Sequence, residues 1–412
     1  MRGISFIRFD RMQLPRIADA LAIAAAVSLP WSTSATSILV VLWLLALLPT
    51  LDVAAFFRQL ATPAAGLPVL LVALGVAGMF WADVSWSERL NGIDSFLKLL
   101  MIPLLFVQFR RSERAVWVLA GYLISCTLLL ALSAVFFARP ELTWRWSHAA
   151  GVPVNNYIAQ SGEFLLCAFA LAYVALESFK RGRCCAAVGA SVLATAFLWD
   201  IFFVATGRTA LVIFPVLLGL FGFRHYRWKG AAALLTAGLV LGAVVWASSP
   251  YLRQRVISVQ HEIATSDSVI TPSGERLAFW KKSLGFVAGA PVIGHGTGSI
   301  AALFRQAAVG QTGAAGEAAA NPHNQVFAIG IQLGFLGVAV LLAMWLAHLL
   351  LFWQPGFFAW VGLVVVVQNI VGSLFNSHLF DFNQGWLYVL GVGVAGGAVL
   401  RERDRSEQAT LR

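Results

Sequence analysis

Charge is what this chain has least of. Only 12% of its 412 residues are Asp, Glu, Lys or Arg, while 59% are hydrophobic. Soluble domains carry about 25% charged residues. No soluble fold could bury this much apolar surface, so the solvent is lipid. Acidic residues are scarcer than basic ones, 19 against 29, for a net charge of +10. On a soluble protein that excess would suggest nucleic acid. Here it follows the rule that Lys and Arg collect on cytoplasmic loops, and no nucleic acid is expected as a partner. No two carboxylates have a spacing that argues for a glycosidase or a divalent-cation site, so neither a metal nor any other cofactor is expected. The four cysteines form no CxxC pairs and no disulfide framework: Cys126 and Cys167 lie in apolar runs, and Cys184 and Cys185 follow the basic KRGR. No A-x-A-like cleavage site lies at the right distance after the basic N-terminus (Arg2, Arg8, Arg11, Arg16), and further apolar runs follow at once, so the first reads as a retained membrane helix. Internal repeats of the kind that build many transporters are also missing.

What remains is a series of apolar runs of helical length. They fall at roughly 16–30, 35–49, 66–82, 93–109, 114–138, 156–176, 184–205, 209–223, 230–248, 325–351, 356–375 and 384–400. Their continuity, without strict alternation, selects helices over barrel strands. The expected fold is all-α and polytopic, with about twelve transmembrane helices. Residues 1–249 hold helices 1–9, 250–324 form a long loop, and 325–412 hold helices 10–12 and a tail. With the N-terminus in the cytoplasm, the short inner loops carry Arg58, Arg110, Arg111, Arg114, Lys180, Arg181, Arg183, Arg224, Arg227 and Lys229, and the tail carries Arg401, Arg403 and Arg405. That is the N-in, C-in arrangement, and it puts the long loop outside. The outer compartment has no ATP, so a site there must use a preactivated substrate or only recognise one. Trp81, Trp86, Trp144 and Trp146 read as interfacial aromatics near the outer surface.

The long loop holds the polarity that the rest of the chain lacks. Tyr251 to Ala264 has the spacing of an amphipathic helix at the membrane interface. A second helix opens at Ser273-Gly274-Glu275-Arg276 and is ended by Pro291 and Gly294, Gly296 and Gly298. The GHGTGS at 294–299 lacks the Lys-Ser/Thr ending of a phosphate loop and follows no strand, so it reads as a flexible turn. Gln311 to Ala320 is small and polar, a mobile flap, and Asn321-Pro322-His323-Asn324 leads into the next membrane helix.

Three residues lead the list of candidates for chemistry. His323, at a helix start on the membrane surface, could take a proton from a hydroxyl, since its unperturbed pKa lies near 6.5. The helix N-terminus favours its neutral form. Arg208, in ATGRTAL, and Arg276, in GERLAFWKK, could hold a phosphate with forked donors. The bland alternatives are a capping histidine, a snorkelling arginine and an arginine paired within the loop to Glu275 or Glu262. Asp381, with Asn376 and His378 in the last outer loop, could orient a histidine or an arginine, and Asp200, two helical turns before Arg208, could pair with it. Arg145 in the outer loop LTWRWSHAAGVPVNNY, Lys281 and Asn324 complete the candidates to bind substrate.

Three blocks, in this order, resemble the O-antigen ligase family: TGRTAL (206–211), GERLAFWKKSLGFVAGAPVIGHGTGS (274–299) and NPHNQVFAIGIQLGFLG (321–337). They cover about a fifth of the chain, and the family belongs to a broader group with O-antigen polymerases and bacterial protein O-oligosaccharyltransferases. The resemblance implies a metal-independent glycosyltransferase of the GT-C type in lipopolysaccharide biosynthesis, in the bacterial inner membrane with a periplasmic site. Its donor would be a glycan on undecaprenyl diphosphate and its acceptor a sugar hydroxyl of lipid A-core. The family's two arginines fall on Arg208 and Arg276, and its catalytic histidine on His323. A polymerase would differ only in its acceptor. A protein O-oligosaccharyltransferase would usually carry a further soluble region after Arg401. A lipid or solute transporter is the alternative from another class.

Overall fold

The computed structural model describes residues 13–143, 150–250, 253–254, 257–258, 262 and 271–410, and among them every regular element is helical. In chain order these are α1 (Leu14–Ser28), α2 (Thr33–Leu47), α3 (Val53–Leu60), α4 (Pro63–Gly78), α5 (Trp86–Leu97), α6 (Met101–Arg111), α7 (Ala115–Ala138), α8 (Tyr157–Lys180), α9 (Cys184–Phe203) and α10 (Arg208–Ser248). The polar segment contributes α11 (Pro272–Gly289) and α12 (Ser299–Ala308), and α13 (Gln325–Phe352), α14 (Phe357–Gly372) and α15 (Phe382–Thr410) follow. Arg145, Trp144, Trp146, His148 and most of the stretch Tyr251 to Ala264 lie outside the described residues.

Among the described residues seven helical stretches are long and apolar enough to cross a membrane, or eight if α3 and α4, bent by 86°, make one span. Twelve were expected from the apolar runs, and each expected run is helical. Lengths account for four of the five, and the fifth, the 384–400 run, lies in a 29-residue helix that falls short in apolar character instead. α1, α4 and α14 have 15, 16 and 16 residues, short of the ~20 that span a bilayer core. α10, conversely, joins two expected helices into 41 residues. A straight helix of that length would run about 60 Å, twice a bilayer core. It breaks at Arg227, whose φ of 59° is left-handed. Beyond the break the chain folds back, so that Gly222 meets Ala231, Gly219 faces Leu235 and Gly238 faces Leu218.

α15 sits in the core: nearly every residue from Asn383 to Val399 is buried. Its glycine-rich face lies against α6, where a Cβ on Gly396 would stand 2.3 Å from the Phe106 ring. Small residues let membrane helices approach this closely. At its far end Asp404 accepts two 2.7 Å bonds from Arg110, Arg405 pairs with Glu113, and Arg111 nearby pairs with Asp52 at 2.8 Å. At its near end Asn383 donates to Leu29 O and Glu163, and Asp381 just before it shares a cleft with Asn321 of the polar segment. The 21 residue steps from Asn383 to Asp404 rise about 32 Å, close to the thickness of a bilayer core.

The later part of the polar segment is woven into a membrane helix. α13 breaks at Gly334, where φ is +61° and a Cβ would stand 2.3 Å from the Val292 carbonyl oxygen. The amides freed by the break donate to the segment: Phe335 N to Pro291 O at 2.7 Å and Leu336 N to Val292 O at 3.2 Å. In return His295 N and Gly296 N donate to Ile331 O and Gln332 O, and Gly298 N to the Gln332 side chain. Thr297 donates to α4 through its amide (Gly78 O, 3.0 Å) and its hydroxyl (Gly75 O, 2.6 Å). The glycines of GHGTGS therefore serve close backbone contact. The loop is a fixed joint rather than the flexible turn expected, and its inward amides are spent on protein acceptors.

Candidate functional site

Asn321-Pro322-His323 carries a local device. The Asn321 side-chain carbonyl accepts the His323 amide at 2.9 Å, an Asx turn across the proline. It holds His323 at φ +52°, a left-handed conformation that costs a non-glycine residue about 1–2 kcal/mol. Asn324 then caps α13, its carbonyl accepting from Val326 N (2.9 Å) and Phe327 N (3.1 Å) while its NH2 donates to Leu374 O. The Asn324 side chain is thus committed to the helix start, not to substrate. The His323 ring lies parallel to Phe279, 6.1 Å away and tilted by 12°, and its Nδ1 is 2.9 Å from Asn376 Oδ1. Asn321 Nδ2 donates to the same Asn376 oxygen at 3.3 Å, and Ser377 Oγ donates to Asn321 Oδ1 at 2.7 Å. Burial pushes the His323 pKa below its ordinary 6.5 and the nearby Arg276 charge lowers it further, against the Asn376 bond that raises it.

Arg276 lies one turn into α11, whose start is capped by Thr271. It is half-buried, and among the described residues no hydrogen bond or ion pair holds its guanidinium. Burial lowers its pKa; the Arg208 charge adds to this, while Tyr157, Glu262 and Glu275 oppose it. Arg276 therefore shares one electrostatic neighbourhood with His323 on one side and Arg208 on the other.

Arg208 is the first residue of α10, where the helix dipole disfavours a cation. Its compensation is Glu262 of the long segment. Nη2 donates to Oε1 at 2.6 Å and Nη1 to Oε2 at 3.0 Å, with further bonds to Ser258 (3.1 Å) and Ser273 (3.0 Å). The same carboxylate accepts from Ser273 Oγ at 2.6 Å and from Ser273 N, in the first turn of α11, at 3.3 Å. These bonds, Arg208 first, hold the Glu262 pKa down to about 2. An arginine fork, a serine hydroxyl and a helix N-terminus make a receptor for a doubly oxygenated anion. Glu262 fills it.

The remaining candidates separate. Asp200 is fully buried and accepts from Ser133 and from Gln160 Nε2 at 3.1 Å. It does not pair with Arg208, because α9 ends at Phe203 and the chain turns before Arg208, so one helical face does not extend across both. Asp381 Oδ1 accepts from Gln384 N at 3.2 Å, and its backbone oxygen takes a 2.9 Å bond from Lys98. The side chain orienting the histidine is Asn376, not Asp381. Asp381 instead lines a polar cleft of about 450 Å³ with Glu88, Asn91, Ser95, Asn321 and Ser377. Lys281 is exposed and has no partner among the described residues. Lys282 turns inward and donates to Ala315 O at 2.5 Å; together with the buried Ala314 this pins the stretch expected to be a mobile flap. Arg145 lies outside the described residues. His378 is buried with neither ring nitrogen hydrogen-bonded, and burial pushes its pKa down to about 4. Among the described residues no three His, Cys, Asp or Glu side chains group as metal ligands.

Glu262, Asn321 and Asn376 were missed as site residues. Asn321 alone left a local signal, since Asn-Pro-X is an Asx-turn pattern. No curated protein matches this chain. Residues 192–342 match the family model Wzy_C, O-Antigen ligase, and this stretch holds Arg208, Arg276 and His323.

Proposed function

We propose that the protein is a ligase that moves a glycan from undecaprenyl diphosphate to a sugar hydroxyl of lipid A-core, at the periplasmic face of the inner membrane. The observation that carries the reading is the nearness of Arg276, unpaired among the described residues, to His323, whose pKa burial lowers, beside the anion receptor at Arg208.

His323 takes the proton from the acceptor hydroxyl as its oxygen attacks the anomeric carbon. The bond from that carbon to the phosphate oxygen breaks, and the configuration inverts. The lipid diphosphate leaves with its new charge. Arg276 meets that charge with forked donors, and Arg208 joins it once Glu262 gives up its place. No nucleotide is needed, since the donor arrives activated. Arg276 is suited to the task because no ion pair holds its guanidinium among the described residues.

The test is reconstitution of the purified protein with lipid-linked glycan and, in separate reactions, lipid A-core or further lipid-linked glycan as acceptor. Product on lipid A-core is expected. Extension of the glycan chain on its lipid would instead make the protein a polymerase, and movement of lipid-linked glycan across the bilayer with no new glycosidic bond would make it a transporter.

A further inference from the structure

A histidine that is to act as a base must offer a ring nitrogen free of hydrogen, and the bonds around His323 decide which one. A backbone amide can only donate. The Asn321 atom 2.9 Å from His323 N is therefore the carbonyl oxygen, which also suits the Ser377 hydroxyl that donates to it at 2.7 Å. The other end of the Asn321 amide is then NH2, which can only donate. The Asn376 atom it reaches at 3.3 Å must be an acceptor, so it is the carbonyl oxygen. That oxygen lies 2.9 Å from His323 Nδ1, and two acceptors do not bond. Nδ1 carries the hydrogen. Each assignment is forced by the one before it, starting from an atom whose role is fixed by covalent chemistry.

We infer that Asn321 and Asn376 form a positioning relay that locks His323 in the Nδ1–H tautomer and leaves Nε2 as the proton acceptor. Its catalytic meaning rests on the ligase reading; its hydrogen bonds do not. The relay sets the ring twice over. Asn321 fixes the left-handed backbone that aims the side chain, and Asn376 fixes rotation and tautomer, while Phe279 lies along one face.

An amide at position 376 suits the task differently from a carboxylate. Asn376 orients the ring and eases its protonation by hydrogen bonding, but it brings no negative charge to hold His323 as the imidazolium. The charged and titratable groups on the elements around the ring are Glu275, Arg276, Lys281 and Lys282 of α11, Glu317 before the Asx turn, and His378 and Asp381 after Asn376. Arg276 opposes protonation. Asparagine thus leaves the base free at neutral pH.

The experiment uses the full-length protein in lipid nanodiscs, with 15N-labelled histidine and the His323 signals identified by their loss in His323→Gln. At neutral pH the wild type should show protonated Nδ1 and bare Nε2, and Asn376→Leu should show mixed tautomers. In the transfer assay Asn376→Leu should lower kcat by about 10- to 100-fold, as loss of other outer partners of functional histidines does, with the KM for donor little changed. Asn376→Asp should keep the tautomer, recover most of kcat at high pH and move the acid limb of the rate profile up by about 1–3 pH units. A wild-type His323 protonated at Nε2, or an Asn376→Leu protein with unchanged tautomer and full kcat, would overturn the relay. If wild type transfers glycan to no acceptor, the ligase reading fails and the nitrogen signals alone still decide the relay.

Discussion

Glu262→Gln is the sharpest perturbation of the anion receptor. In the structure the carboxylate takes both terminal nitrogens of Arg208 and two groups of Ser273. A pKa lowered from 4.5 to about 2 corresponds to about 3 kcal/mol at 1.36 kcal/mol per pH unit. The pair is partly open to solvent, with 20% and 16% side-chain exposure, and screening reduces this to roughly 1–2 kcal/mol. A diphosphate entering the receptor must displace the carboxylate, so its apparent affinity is weakened by that amount, about 5- to 30-fold. Glu262→Gln should therefore tighten inhibition by inorganic pyrophosphate, and by undecaprenyl diphosphate, by about that factor. The measurement is the Ki of each in the transfer assay. Since the folded pKa lies below the unfolded value, the pair's contribution is complete above about pH 4.5 and is lost only as pH falls toward about 2. Inhibition of the wild type should then show no step from this group between pH 5 and 8. A Ki for pyrophosphate that stays the same or rises in Glu262→Gln would refute competition at Arg208 and make Glu262 a structural partner.

Four further results are expected. His323→Ala should lower transfer by about 10²- to 10⁴-fold at normal protein levels in purified membranes, and wild-type rates there would end its role as base. The rate should climb with pH through a midpoint below 6.5, because His323 must lose its proton and burial lowers its pKa. Arg276→Gln should cost about 10²- to 10³-fold in kcat and shift that midpoint upward, since it removes a like charge; a rate profile with an unmoved midpoint would separate the two residues. Gly298→Val should lower thermal stability by about 1–3 kcal/mol or more, because φ there is +90° and a Cβ would stand 2.3 Å from the Glu88 carbonyl oxygen; thermal unfolding in detergent measures it.

The helices were legible because lipid imposes a simple demand: runs such as 114–138 and 325–351 are apolar throughout, and such runs can only be helices. The α10 hairpin was legible too, since Arg224, Arg227 and Lys229 interrupt the hydrophobic run where the chain turns. Membrane-span counts were less so, because α1, α4 and α14 are too short to pass on length alone. His323 and Arg276 could be singled out as polar groups on an otherwise apolar chain, and the structure puts them in one field. Their partners could not. Asp200 was paired with Arg208 by helical arithmetic that fails once the helix ends at Phe203. Glu262 and Asn376 stand 54 and 53 residues from the groups they hold, and no local pattern encodes a contact closed by tertiary packing.

The broken α13 and the segment threaded through it bear on how such chains can be recombined. Residues 290–298 donate to and accept from 331–336, so each is the other's secondary structure. A chimera that takes the outer segment from a relative but keeps its own α13 would leave amides of Phe335 and Leu336 facing a foreign carbonyl track. A cut placed ahead of Thr271 meets no such constraint from the broken helix. Two stretches whose bonded residues lie 34 to 44 positions apart in the chain are thus a single unit of inheritance, and exchange of either between relatives should succeed only when both travel together.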